Sequence, residues 1–82
     1  MVGEYRKKPI VVEAVPWLGD NLEEITELVG PGDLSFDDEG RLEVWTLEGW
    51  VFCPVGHLII KGVHGEFYPC DPDVFADSYD SI

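Results

Sequence analysis

Positive charge is scarce in this chain. Five Lys and Arg stand against seventeen Asp and Glu, for a formal net charge of −12. The shortage argues against duplex nucleic acid as a partner, because phosphate contacts draw on Lys and Arg. An anionic membrane surface is disfavoured on the same ground. Cysteine is nearly absent, with only Cys53 and Cys70 present. No Cys-x-x-Cys knuckle exists, so a strong zinc signature is missing. Long apolar runs are missing too. The stretch from Ile10 to Val15 is broken by Glu13 and stops at Pro16, too short for a signal peptide or a membrane span. The expected compartment is the cytoplasm, where both thiols stay reduced.

What is present suffices for a core. The hydrophobic share is 45%, with three Trp, three Tyr and four Phe, in 82 residues. That composition excludes disorder and predicts one domain over residues 1–82. A domain this small buries a modest share of its surface and gains from a disulfide, a metal or a partner subunit.

Residues 5–17 read as a strand, since Ile10, Val11, Val12 and Val15 are β-branched. Pro9 and Pro16 near its ends place it at a sheet edge, and an edge of this kind allows a homodimer by strand pairing. Asp20 is the predicted N-cap of a helix, with Glu23 three residues on as in a capping box. Leu22, Ile25, Leu28 and Val29 form its apolar stripe, and Gly30 with Pro31 ends it.

A strand meander follows. Its parts are Leu34 to Phe36, a turn at residues 37–40, an alternating strand from Arg41 to Leu47, and a hairpin signal at Glu48-Gly49. Trp50 to Cys53 is the next strand and His57 to Lys61 the central one, with Glu66 to Tyr68 after the loop at residues 62–65. Asp71 caps a final helix with Pro72 in its first position. Phe75, Tyr79 and Ile82 share a face of that helix. The expected fold is therefore α+β, an antiparallel β-sheet meander with two short helices.

The opening, from Tyr5 through Arg6, Lys7, Lys8 and Pro9 to Ala14, with Trp17 just beyond, resembles the start of a family of small phage and prophage proteins. Members begin with a YRKKPVVIEA-like stretch. The segment from Ile59 to Cys70, followed by Asp71-Pro72-Asp73 and Phe75, is similar to their C-terminal portion. Gly56-His57-Leu58 departs from the Gly-Asp-aromatic turn common among them. The resemblance implies an accessory protein of a phage or prophage, working in the host bacterial cytoplasm. It carries over no catalytic residue and no cofactor.

Four constellations offer chemistry. Cys53, His57, His64 and Cys70 are a set of zinc-ligand types, against which stands the ordinary role of reduced cysteine as a small buried hydrophobe. Cys70 is a nucleophile candidate, but Glu66, Asp71 and Asp73 oppose its thiolate. Arg6, Lys7, Lys8 and Lys61 are most of the positive charge. With Tyr5, Trp17, Phe67 and Tyr68 to stack a base, they outline a site for a small anionic ligand such as a nucleotide signal; the plain alternative is that they balance local carboxylates. Last, the acidic surface itself suits a basic groove on a host protein, with Trp45 or Trp50 as anchor, although at least one of these tryptophans is expected in the core. The leading expectation is non-catalytic binding to a host protein through the acidic surface.

Overall fold

Alternation and turn chemistry divide the chain into short strands, and the computed structural model, which describes residues 2–6 and 8–82, places them in two sheets. The elements in order are β1 (Glu13–Pro16), α1 (Leu22–Val29), a 3₁₀ turn (Pro31–Asp33), β2 (Leu34–Phe36), β3 (Leu42–Thr46), β4 (Gly49–Phe52), β5 (Leu58–Lys61), β6 (Phe67–Cys70) and α2 (Pro72–Ser78). One sheet has the order β1-β5-β6 and the other β2-β3-β4, and every pairing is antiparallel. The α+β expectation holds. The meander describes only β2-β3-β4, since β1 pairs instead with β5, which is the central strand expected for this stretch.

The first strand is shorter than expected. Pairing begins with Glu13 opposite Lys61. Beyond Lys61 the chain turns at Gly62, whose N–H bonds Glu66 O at 2.7 Å. Residues before Glu13 therefore have no β5 backbone beside them, and residues 8–12 carry no regular structure. The other end of β1 is held firmly. Trp17 N–H donates to His57 O (2.9 Å), and Trp17 O accepts from Gly56 N–H (2.7 Å).

The N-cap of α1 is Asn21, not Asp20. The Asn21 side chain acts as a splice. Its Oδ1 accepts from Leu18 N–H (2.8 Å), and its Nδ2 donates to Pro16 O and to Glu24 Oε1, both at 2.7 Å. An amide carries both donor and acceptor, so Asn can tie the strand end to the helix start where Asp cannot. Gly30, at φ +89°, ends the helix in a conformation closed to most L residues.

The core lies between α1 and the two sheets. It gathers Val15, Trp17, Ile25, Val29, Leu42, Val44, Cys53 and Ile59. Ile60, the next residue on β5, points to the other face of its sheet yet is also fully buried. That face carries Tyr68 opposite Ile60. Tyr68 bonds the Tyr79 hydroxyl, and Phe75 stacks on Tyr79 with ring centroids 4.9 Å apart. The C-terminal segment thus covers the second face. The expected α2 cap is present, with Asp71 Oδ1 accepting from Asp73 N–H and Val74 N–H at 2.8 and 3.3 Å. The helix stops at Ser78, however, so Ile82 is fully exposed and does not extend its apolar face. No helix among the described residues is long and apolar enough to cross a membrane.

Candidate functional site

The β3–β4 hairpin decides which side chains reach solvent. Its turn, at Leu47 and Glu48, is followed by Gly49 at φ +97°. Glycine tolerates this left-handed step, which completes a short hairpin loop. Thr46 Oγ1 donates to Gly49 O (2.9 Å) and accepts from Glu48 N–H (3.0 Å). The register then pairs Glu43 with Phe52 and Trp45 with Trp50. Leu42 and Val44 alternate inward and are buried, so Glu43, Trp45, Trp50 and Phe52 share the outer face.

Both tryptophans are half-exposed, Trp45 at 48% and Trp50 at 44%. Neither is a core residue, contrary to expectation. The reason is register: a direct cross-strand pair sits on one face together. The rings meet edge to face, with centroids 5.3 Å apart and planes at 67°. Such pairs contribute roughly 0.5–1.5 kcal/mol beyond their burial. Phe52, two residues from Trp50 on the same face of β4, is exposed as well, which makes an aromatic patch on an otherwise acidic molecule.

One end of this face already holds a cation. The Arg41 guanidinium lies 4.8 Å from the Phe52 ring centroid. Its Nε is 2.7 Å from Asp37 Oδ2 and 3.7 Å from Glu39 Oε2. Asp37 Oδ1 also accepts from Arg41 N–H and Glu39 N–H, each at 2.9 Å. The Arg41 backbone N–H, then the Arg41 side chain and the Glu39 N–H, hold the Asp37 carboxyl below its ordinary value, against a smaller opposing effect of burial. The face therefore shows, within the chain, how aromatic rings and carboxylates together hold a guanidinium.

The anion site expected from the sequence is not gathered. Trp17 is buried at 7% exposure and packs in the core, so it offers no stacking surface. Phe67 packs partly against the same core. Lys61 stands between Glu13 and Phe67 in adjacent strands, where a carboxylate neighbours it. Arg6 and Lys8 lie on the exposed N-terminal segment, and Lys7 is outside the described residues. A shallow groove of about 500 Å³ contains Lys8, with Ile10, Val12, Phe75 and Tyr79. A second, of about 320 Å³, contains Phe67 and Tyr68, but its charged side chains are Glu48 and Glu66. Lys61 and Phe67 are cross-strand neighbours, but Glu13, Glu48 and Glu66 beside them repel an anion and Trp17 is in the core, so the set does not form one cationic pocket.

The metal expectation fares similarly. No group of three or more His, Cys, Asp or Glu side chains able to hold a metal ion occurs among the described residues. Cys53 is fully buried, and both cysteines are free thiols. Burial pushes the Cys53 thiol up to about 11. Burial, and then the Asp71 charge, raise the Cys70 thiol. His57 Nε2 lies 3.8 Å from Asp71 Oδ2. His64 is exposed in the loop after β5. Burial, followed by the hydrogen bond that the Tyr68 hydroxyl donates to Tyr79, pushes Tyr68 up to about 12.

The Arg41–Phe52 contact and the Trp45–Trp50 pairing were not foreseen as one surface. The alternation of residues 41–47 and the short loop at 47–49 contained the signal, because together they set the register. No protein family model matches this chain, and neither a curated protein nor a solved structure shows significant similarity to it.

Proposed function

We propose that this chain is a non-catalytic binding module. Its partner-facing surface is the outer face of the β2-β3-β4 sheet, and its partner is a basic surface on another protein. The observation that carries this reading is the pair of half-exposed tryptophans, edge to face on that sheet. Tryptophan is a common anchor of protein interfaces, and an exposed contiguous apolar patch on a small soluble domain signals a contact surface. Glu43 on the face and Glu48 in the turn add negative charge at its margin. A net charge of −12 favours approach by a basic partner and speeds it. The raised thiols and the scattered cysteines and histidines argue against a catalytic reading.

The resemblance to phage and prophage accessory proteins supplies a setting for this proposal. The partner would then be a protein of the infected or lysogenic bacterium. The test is affinity capture from bacterial lysate, comparing the wild-type chain with a Trp45→Ala/Trp50→Ala variant of unchanged circular dichroism. The expected result is a basic protein held by the wild type, released by salt and missing with the variant. Identical protein sets from both baits would refute the assignment of this face. A nucleotide retained in native mass spectrometry would replace it with the ligand-binding alternative.

A further inference from the structure

The two sides of β1 differ. Trp17 directs both its N–H and its C=O toward β5. In a strand the backbone groups alternate sides, so Glu13 and Val15 also face β5 while Ala14 and Pro16 face away. Residues 8–12 carry no regular structure; drawn out as a strand, they would continue that alternation and turn Val12 and Ile10 away as well. At Pro16 this outward edge is closed, because proline has no N–H and the Pro16 carbonyl is already bonded by Asn21 Nδ2. At Ala14 it is open, since among the described residues β1 has no strand neighbour other than β5, and Val12 and Ile10 lead into it without a strand partner.

The segment leading into this edge differs from the rest of the chain in exposure and charge. Val2, Tyr5 and Val11 are among its most exposed apolar side chains. Its charge is opposite to that of the rest. Sixteen of the seventeen acids and two of the five cations lie from Glu13 onward, leaving that part at −14 and the first twelve residues at +2.

We infer that this edge pairs with the same edge of a second copy of the chain, antiparallel and centred on Val12. A two-fold pairing must join outward groups to outward groups. Centring on Val12 achieves this, with Val12 opposite Val12 and Ile10 opposite Ala14 of the second copy. Pro16 then marks a limit of the ladder, because it offers no donor, while Pro9 falls on the inward side, where the pairing needs none. The same register carries Lys8 and Arg6 past residues 16–18 of the second copy, toward its Asp20 and the Glu23–Glu24 start of α1. The two three-stranded sheets become one of six strands, and each copy's open edge is covered. Repulsion between the acidic bodies is screened over about 8 Å at physiological salt, and the segment that meets at the axis is itself basic.

Sedimentation equilibrium at physiological salt, up to about 1 mM protein, tests this. The wild type is expected to dimerise. Val12→Pro removes an outward N–H at the axis and should weaken dimerisation at least tenfold. Val11→Pro alters only an inward position and should leave it within about twofold. Wild type that stays monomeric throughout, or Val12→Pro that dimerises as well as wild type, would overturn the inference. A second measurement covers loss of folding in the proline variants. The pairing sets the two Val12 Cα atoms about 5.5 Å apart, within disulfide range. In a Cys70→Ser background, Val12→Cys should oxidise to a linked dimer at least tenfold faster than Val55→Cys, on the exposed turn at the far end of β1. Equal rates would refute the register.

Discussion

Replacing Trp17 separates the core reading of this residue from the stacking role that its sequence context suggests. Its side chain is 93% buried, from an exposure of 7%, among Val15, Ile25, Val29 and Ile59. A tryptophan buries on the order of 200 Å². At about 25 cal/mol per Å² its burial stabilises the fold by an upper bound of about 5 kcal/mol. Truncation to Ala keeps only Cβ and leaves a cavity, so the expected loss is about 3–5 kcal/mol. A domain of this size has a total stability of about 4–12 kcal/mol. Trp17→Ala should therefore remove about a quarter of it or more. With a urea slope of about 1 kcal/mol per M, the midpoint should fall by about 3 M or more. In thermal melts, where 1 kcal/mol corresponds to about 6 °C for this length, the drop should exceed 15 °C. Trp17→Phe should lose about half as much. The assay is urea unfolding followed by far-ultraviolet circular dichroism, since tryptophan fluorescence would itself be changed. A midpoint shift below about 1 M would refute the packing argument and return Trp17 to the list of ligand-stacking residues.

Two further predictions concern titration. Asp37 has a depressed carboxyl, so its ionised form stabilises the fold above the ordinary value of 3.8, and that contribution is lost as pH falls below it. Asp37→Asn should therefore be less stable than wild type at neutral pH, with the gap closing as pH falls below 3.8 in a series of urea melts; a gap unchanged by pH would refute the charge-based account of this turn. For the thiols, a disulfide reagent at mildly alkaline pH should modify Cys70 in the native protein and Cys53 only in urea, because Cys53 is fully buried. Native reactivity that survives Cys70→Ser would overturn that order.

Local chemistry made part of the fold legible. The Asp71-Pro72 cap, the Ile25 and Val29 stripe ended by Gly30-Pro31, and the alternation of Leu42 and Val44 each depend on neighbours within a turn or a strand. The structure agrees at each. The misses depend on distant partners. Val11 and Val12 have strand-forming side chains, but a strand needs a backbone beside it, and β5 ends at Lys61. Trp17 read as a base-stacking aromatic because it closes the segment that carries Arg6, Lys7 and Lys8. Only the pairing of its backbone with Gly56 and His57 shows that its side chain turns inward. Asn21 displaced Asp20 as cap because the strand end at Pro16 required a donor as well as an acceptor.

The candidate surface was half legible for the same reason. Trp45 and Trp50 could each be anchor or core when taken alone. A five-residue difference across a tight loop makes them a direct pair, and a direct pair must share a face. Sharing a face with buried Leu42 and Val44 is ruled out by alternation, so both tryptophans face outward.

The proposed dimer and the proposed binding face use different sheets, and this bears on how the chain would act. The self-pairing edge belongs to β1 and the tryptophan pair to β3 and β4. Dimerisation therefore leaves the aromatic face open and doubles it. A two-fold pair of such faces would engage a dimeric or repetitive partner at both sites, with the second contact made at the effective concentration set by the first. Moderate affinity at each face would then suffice. The acidic body would govern the rate of encounter and its salt dependence, while the tryptophans would govern how long each contact lasts. In this arrangement the basic N-terminal segment serves assembly rather than ligand capture. That accounts for a feature composition alone leaves unexplained: an otherwise strongly acidic chain keeps three of its five cations in one short run, next to the strand edge that the second copy would cover.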